Sequence, residues 1–68
     1  MNYSYQLNGK VNARPIKTKQ FKNYKGAMKY LDSLIDAYNV QIEEVLDFED
    51  ANTFIANDYS RFTLVKLS

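Results

Sequence analysis

Two groups of side chains in this 68-residue chain have the types and spacing to do chemistry. The first is an acidic run of Glu43, Glu44, Asp47, Glu49 and Asp50. The second is a basic set of Arg14, Lys17, Lys19, Lys22 and Lys25, interleaved with Tyr3, Tyr5, Phe21 and Tyr24. Clustered carboxylates can hold a cation, and a pair of them can act as general acid and base. Cations neutralise phosphate, and aromatic rings stack on nucleobases. The acidic run lacks the alternate spacing and the glycine that a calcium loop requires; its spacing belongs to a strand and a hairpin. It reads as a solvated acidic edge that discourages edge-to-edge pairing, and no metal is expected there. Nothing places two carboxylates in a pocket. No Ser or Lys nucleophile has a motif around it, and there is no glycine-rich phosphate loop. The chain has neither cysteine nor histidine, which excludes disulfides, zinc sites and histidine acid–base chemistry. No cofactor is expected, and the chain is read as a non-enzyme.

Charge is segregated along the chain. Residues 1–31 carry seven bases and no acid, whereas residues 32–68 carry all eight acids against Arg61 and Lys66. The net charge of +1 hides this asymmetry, which can mark an interaction surface. At 46% hydrophobic and 25% charged, the chain is globular rather than disordered. A chain of 68 residues is expected to be a single domain, and to be marginal in burial when alone. No apolar run reaches the length of a membrane span, and the N-terminus lacks a signal-peptide pattern. Together with the absent cysteine, this gives a cytoplasmic expectation with no membrane partner. Frequent Asn, Lys and Tyr suggest an AT-rich gene, and hence a low-GC bacterium, phage or plasmid.

The elements that would position these groups centre on residues 24–38. Tyr24, Ala27, Met28, Leu31, Leu34, Ile35 and Tyr38 recur at helical steps and give one wide apolar face. Lys25, Lys29, Asp32, Ser33 and Asp36 fall opposite. Asn23 is a suitable N-cap, and Asn39 can take the left-handed position after the helix. Bases lie toward the helix N-terminus and acids toward its C-terminus, the reverse of what the helix dipole prefers.

The remainder reads as strands. Tyr3–Leu7 alternates, and Asn8-Gly9 is a favoured two-residue hairpin turn. A tight turn there pairs apolar with polar residues, so a longer loop stays open. Pro15 confines the next strand to an edge or delays its start. Four-residue turns at 49–52 and 57–60 would place Leu46, Phe48, Ile55, Phe62 and Leu64 on one face of a three-strand meander beneath the helix. The other face would then carry Val45, Phe54, Ala56, Val65 and Leu67, covered by the N-terminal strands or by a partner. The expected fold is α+β, one helix on an antiparallel sheet, in the order ββαβββ.

This architecture and three stretches carry a resemblance. They are Ala13-Arg14-Pro15-Ile16-Lys17-Thr18-Lys19, Tyr38-Asn39, and Asp58-Tyr59-Ser60-Arg61-Phe62-Thr63-Leu64. In length and element order the chain resembles the epsilon subunit of Firmicute RNA polymerase, and equally small phage and plasmid proteins of low-GC bacteria. It differs from that subunit at Thr53-Phe54-Ile55-Ala56-Asn57, where the family has an acidic-aromatic segment. The resemblance implies a small regulatory protein acting through protein contacts. The expectation is therefore a protein-binding or regulatory module, monomeric or weakly dimeric, using either the basic face or the acidic edge. The alternative is a small nucleic-acid-binding protein using the basic half.

Overall fold

Asn23 starts the helix that the periodicity predicts. Its backbone is extended, and its side-chain oxygen accepts from the Gly26 N–H at 2.7 Å. This satisfies one of the amide donors a helix leaves orphaned at its start. The computed structural model describes residues 3–67, and the helix, α1, runs Tyr24–Ala37. It ends in a Schellman motif. Asn39 is left-handed with φ 53, its N–H donates to Asp36 O at 3.2 Å, and Val40 N–H donates back to Ile35 O at 3.1 Å. Asn39 thus takes the position expected of it.

The strands form one antiparallel sheet. They are β1 (Tyr5–Val11), β2 (Arg14–Pro15), β3 (Lys19–Phe21), β4 (Glu44–Phe48), β5 (Ala51–Asn57) and β6 (Ser60–Lys66). The order across the sheet is β2-β1-β6-β5-β4, and β3 also pairs with β1 on the side of β2. β2 and β3 are thus two halves of one interrupted edge strand, and counting them together recovers the expected ββαβββ. β4, β5 and β6 form the expected C-terminal meander. The fold is α+β, with the helix packed over β1 and β3.

The first hairpin does not turn at Asn8-Gly9. β1 continues through Gly9 to Val11, and the loop is Asn12-Ala13, with Val11 opposite Arg14. Both loop residues are left-handed, φ 52 and 68, as a type I′ turn requires. Two contacts pin this loop to the far end of the meander. Asn12 N–H donates to the Ser60 hydroxyl at 2.9 Å, and Ala13 N–H donates to Tyr59 O at 2.7 Å. Ser60 is fully buried. Gly9 has no positive φ; it lies opposite Phe62, where a side chain would collide with the neighbouring strand.

The meander is also tighter than expected. Phe48 pairs with Ala51 around the two-residue loop Glu49-Asp50, and Asn57 pairs with Ser60. The first change moves the register by two residues and preserves the faces. At the second, Thr53 meets Thr63 rather than Leu64, a slip of one residue that a bulge between Ile55 and Asn57 accommodates. A one-residue slip exchanges the faces. Phe62 and Leu64 therefore point to the helix, whereas Leu46, Phe48 and Ile55 lie on the opposite face, correcting the expected core.

The core lies on one side of the sheet. Leu7, Val11, Phe62 and Leu64 meet Ala27 and Leu31 of the helix, with Tyr5, Phe21, Met28, Leu34 and Ile35 around them. Each fully buried Leu or Phe contributes roughly 1.5–3 kcal/mol relative to exposure. After the helix, Val40 and Ile42 pack at the rim of this core with Phe54. The N-terminal strands do not curl over the meander. β1 instead pairs edge-on with β6 and extends the same sheet, whose two edges stay open.

Candidate functional site

The topology carries the charge segregation of the sequence into space. β1 to β3 and the start of the helix occupy one end of the sheet, and β4 occupies the other. Arg14 stands in β2, Lys17 in the break between β2 and β3, and Lys19 in β3. Lys22 precedes the helix, and Lys25 lies in its first turn. All five are exposed. Glu44 and Asp47 stand in β4, Glu43 immediately before it, and Glu49-Asp50 in the loop that leaves it. These five are also exposed. Each set that the sequence singles out is thus gathered at its own edge.

Four strand spacings of about 4.8 Å put the two edges on the order of 19 Å apart. The Debye length at physiological salt is about 8 Å. Each edge therefore presents its charge independently of the other. Among the described residues, none of the side-chain hydrogen bonds joins a base to an acid.

The basic edge is a poor template for further pairing. β2 and β3 are two and three residues long, and residues 16–18 interrupt them. Pro15 has no N–H, Lys17 stands in the break and Lys19 in β3. Short strands, proline, interruptions and lysine are the features by which natural sheets blunt an edge. The Lys19 ammonium is also engaged, 4.5 Å from the centre of the Tyr30 ring and 5.7 Å from that of Phe21. Tyr24 packs edge-on against Tyr5, with centroids 5.8 Å apart, yet stays about half exposed. Beside Arg14, an open depression of about 580 Å³ is lined by Val11, Asn12, Pro15, Ile16 and Tyr38.

β4 lacks these devices. It is five residues long and contains no proline or bulge. Among the described residues it pairs only with β5, which leaves its outer edge without a strand partner. Its side chains alternate: Val45 and Asp47 on the helix side, Glu44, Leu46 and Phe48 on the other. Phe48 is 63% exposed and Val45 48%. The helix packs mainly over β1, β3 and the buried Phe62 and Leu64 of β6, and Val45 of β4 stays exposed on the helix side. Asn52, opposite Asp47 in β5, donates to its carboxylate across the hairpin. Among the described residues, no three acids are grouped so as to hold a metal ion.

Comparison with protein-family models, curated proteins and solved structures finds no match.

The apolar residues of β4 are the part of the site that sequence reading missed. It assigned Leu46 and Phe48 to the core and Val45 to the back face. The cause is the bulge between Ile55 and Asn57, which exchanges the faces of β4 and β5 relative to β6 and has no signal in the local residue types. The helix-free face is graded. Next to β1 it is an amide and hydroxyl network: Gln20 donates to Gln6 at 3.1 Å, Gln6 to Asn8 at 3.3 Å, and Thr18 to Asn8 at 3.0 Å. Next to β4 it becomes apolar, with Val65, Ile55, Leu46 and Phe48.

Proposed function

We propose that this chain is a non-enzymatic protein-binding or regulatory module whose contact surface is β4 and the apolar strip beside it. One observation carries the reading: the two edges of the sheet are treated differently. The basic edge is shortened, broken and proline-bearing, while β4 is regular and exposes Phe48 and Val45. An exposed, regular strand with apolar side chains is an aggregation hazard unless it has a use. The acidic residues around it keep unpaired copies apart. The resemblance to the epsilon subunit of Firmicute RNA polymerase makes RNA polymerase the first partner to try. The reading includes a phage or plasmid origin and action in the cytoplasm.

The test is site-specific photo-crosslinking. A photoreactive phenylalanine analogue replaces Phe48 in one protein and Lys17 in another, each expressed in a low-GC bacterial host. Discrete protein adducts at position 48 and none at position 17 are expected. Adducts from position 17 alone would overturn the assignment of the surface.

A second reading, nucleic-acid binding, is favoured by the gathering of Arg14, Lys17, Lys19, Lys22 and Lys25 at one end beside half-exposed Tyr24. It predicts binding to DNA or RNA that weakens with salt, with a slope near −0.9 per duplex phosphate contacted. Charge reversal at Lys17 and Lys22 would weaken that binding, and absence of binding at low salt removes the reading.

A further inference from the structure

We infer that β4 takes its partner as an added antiparallel strand in which apolar and basic residues are placed to match β4 position by position. This deepens the protein-binding reading, on which it rests, by naming the chemistry of the partner.

The derivation starts from the pleat. Residues directly opposite in an antiparallel pair share a face, with Cβ atoms about 4.5–5.5 Å apart. On the helix-free face β4 presents Glu44, Leu46 and Phe48, and on the helix side Val45 and Asp47. An added strand therefore meets apolar groups at Leu46 and Phe48 on one face and at Val45 on the other. It meets one carboxylate on each face. Every strand already in the sheet is antiparallel to its neighbours, and antiparallel pairing is slightly the more stable per residue. Read in its own direction, the matching strand is apolar, basic, apolar, apolar, basic. Glu43, Glu49 and Asp50 extend the acidic field beyond both ends and favour further bases on the flanks.

A second copy of this chain does not supply such a strand. Antiparallel pairing of β4 with itself about Leu46 sets Glu43 against Glu49, Glu44 against Phe48 and Val45 against Asp47. It also brings two five-acid clusters together, and like charges directly opposite destabilise a sheet. The basic edge of a second copy has the right sign, but it is broken at residues 16–18 and carries Pro15, so it offers no five-residue ladder. Charge complementarity and strand continuity together select a different protein: one with a free basic strand or an unfolded basic segment.

The experiment selects peptides from a displayed random library against the full chain and, in parallel, against the variant E44K/D47K. The most enriched peptide is then synthesised and titrated into isotope-labelled protein by NMR. Enriched peptides with Lys or Arg at the second and fifth positions of an otherwise apolar five-residue core are expected. Such a peptide shifts the Glu44–Phe48 amide signals and slows their exchange. Methylating its backbone nitrogens on the paired edge abolishes binding, and E44K/D47K weakens it about tenfold, two exposed ion pairs being turned into repulsions. Enriched peptides that shift β4 but are neutral or acidic at those positions overturn the basic strand and leave the protein-binding reading intact. Peptides that leave β4 unmoved, or no enrichment, overturn both. Concentration-dependent dimerisation by sedimentation, lost in E44K/D47K, would make the occupant a second copy and overturn the inference.

Discussion

Gly9→Ala is expected to be among the most damaging single-methyl changes in this chain. Gly9 lies within β1, opposite the fully buried Phe62. A Cβ there would stand 2.7 Å from the Arg61 carbonyl oxygen, 2.8 Å from Phe62 Cδ1 and 3.2 Å from Phe62 Cα. Comfortable carbon contacts lie at about 3.5–4.0 Å. Two of the three obstructing atoms are backbone of β6, which is held on its other side by β5, so neither can swing away. Overpacking of this kind costs about 1–3 kcal/mol, and a rigid obstacle puts the cost in the upper half of that range. Alanine recovers about 0.5–1 kcal/mol of the conformational penalty that glycine carries in a strand. The net loss is about 1–2.5 kcal/mol. A domain of this size holds about 3–5 kcal/mol in all, so a substantial part of its stability is at stake. Urea unfolding followed by circular dichroism measures it, with an unchanged m-value expected. A double-mutant cycle then divides the clash between side chain and backbone. Phe62→Leu relieves the contact with the Phe62 ring and leaves the one with the Arg61 oxygen, so any fall in the cost of G9A in the F62L background measures the ring's share of the clash. Wild-type stability in G9A would refute the reasoning, and strict additivity in the cycle would assign the clash to the β6 backbone alone.

Three further changes follow from the same structure. Ala13 is left-handed at φ 68, a conformation that costs an L-residue about 1–2 kcal/mol; Ala13→Gly should raise the urea midpoint by a net of about 0.5–1 kcal/mol, and an unchanged midpoint would count against the type I′ loop. Ser60→Ala leaves the Asn12 N–H without its acceptor beside a buried site; a loss of about 1–3 kcal/mol is expected, with faster amide exchange at Asn12 as the local readout. The last turn of the helix has no base, so Asp36→Lys should stabilise by about 0.3–1 kcal/mol at low salt, and the gain should shrink at high salt; a gain independent of salt would point to packing instead.

The helix was legible in the sequence down to its caps, because Asn23 and Asn39 act through local backbone geometry that their neighbours do not override. The fold class was legible because alternating apolar residues on both sides of one amphipathic helix admit few arrangements. The first hairpin misled because Asn-Gly is the strongest short-range turn signal and Asn-Ala is not. What decides between them is non-local: Gly9 is needed beneath Phe62, and the Asn12-Ala13 loop is held by Ser60 and Tyr59 from the other end of the chain. The meander faces failed at a single residue. A bulge between Ile55 and Asn57 exchanges the two faces of one strand pair, and no residue type announces it. Both charge clusters were legible as clusters. Their significance was not, since it depends on which strands finish at the edges.

The strand order explains why a chain with net charge near zero carries two separate charged edges. β1 inserts beside β6 instead of pairing with β4, so the ends of the sheet are built from opposite halves of the chain. Had β1 joined β4 instead, the basic edge would lie two strand spacings, about 10 Å, from the acidic strand rather than four. Pairing with β6 makes β4 one of the two edges of this open sheet. Pro15, the break at residues 16–18 and the lysines close the other to pairing. On the proposed reading, β4 relies on the sign of its charge, which would exclude copies of the same strand while admitting a basic one. An edge protected by charge alone is selective rather than closed. That difference separates a sheet that merely avoids aggregation from one that can recruit a strand.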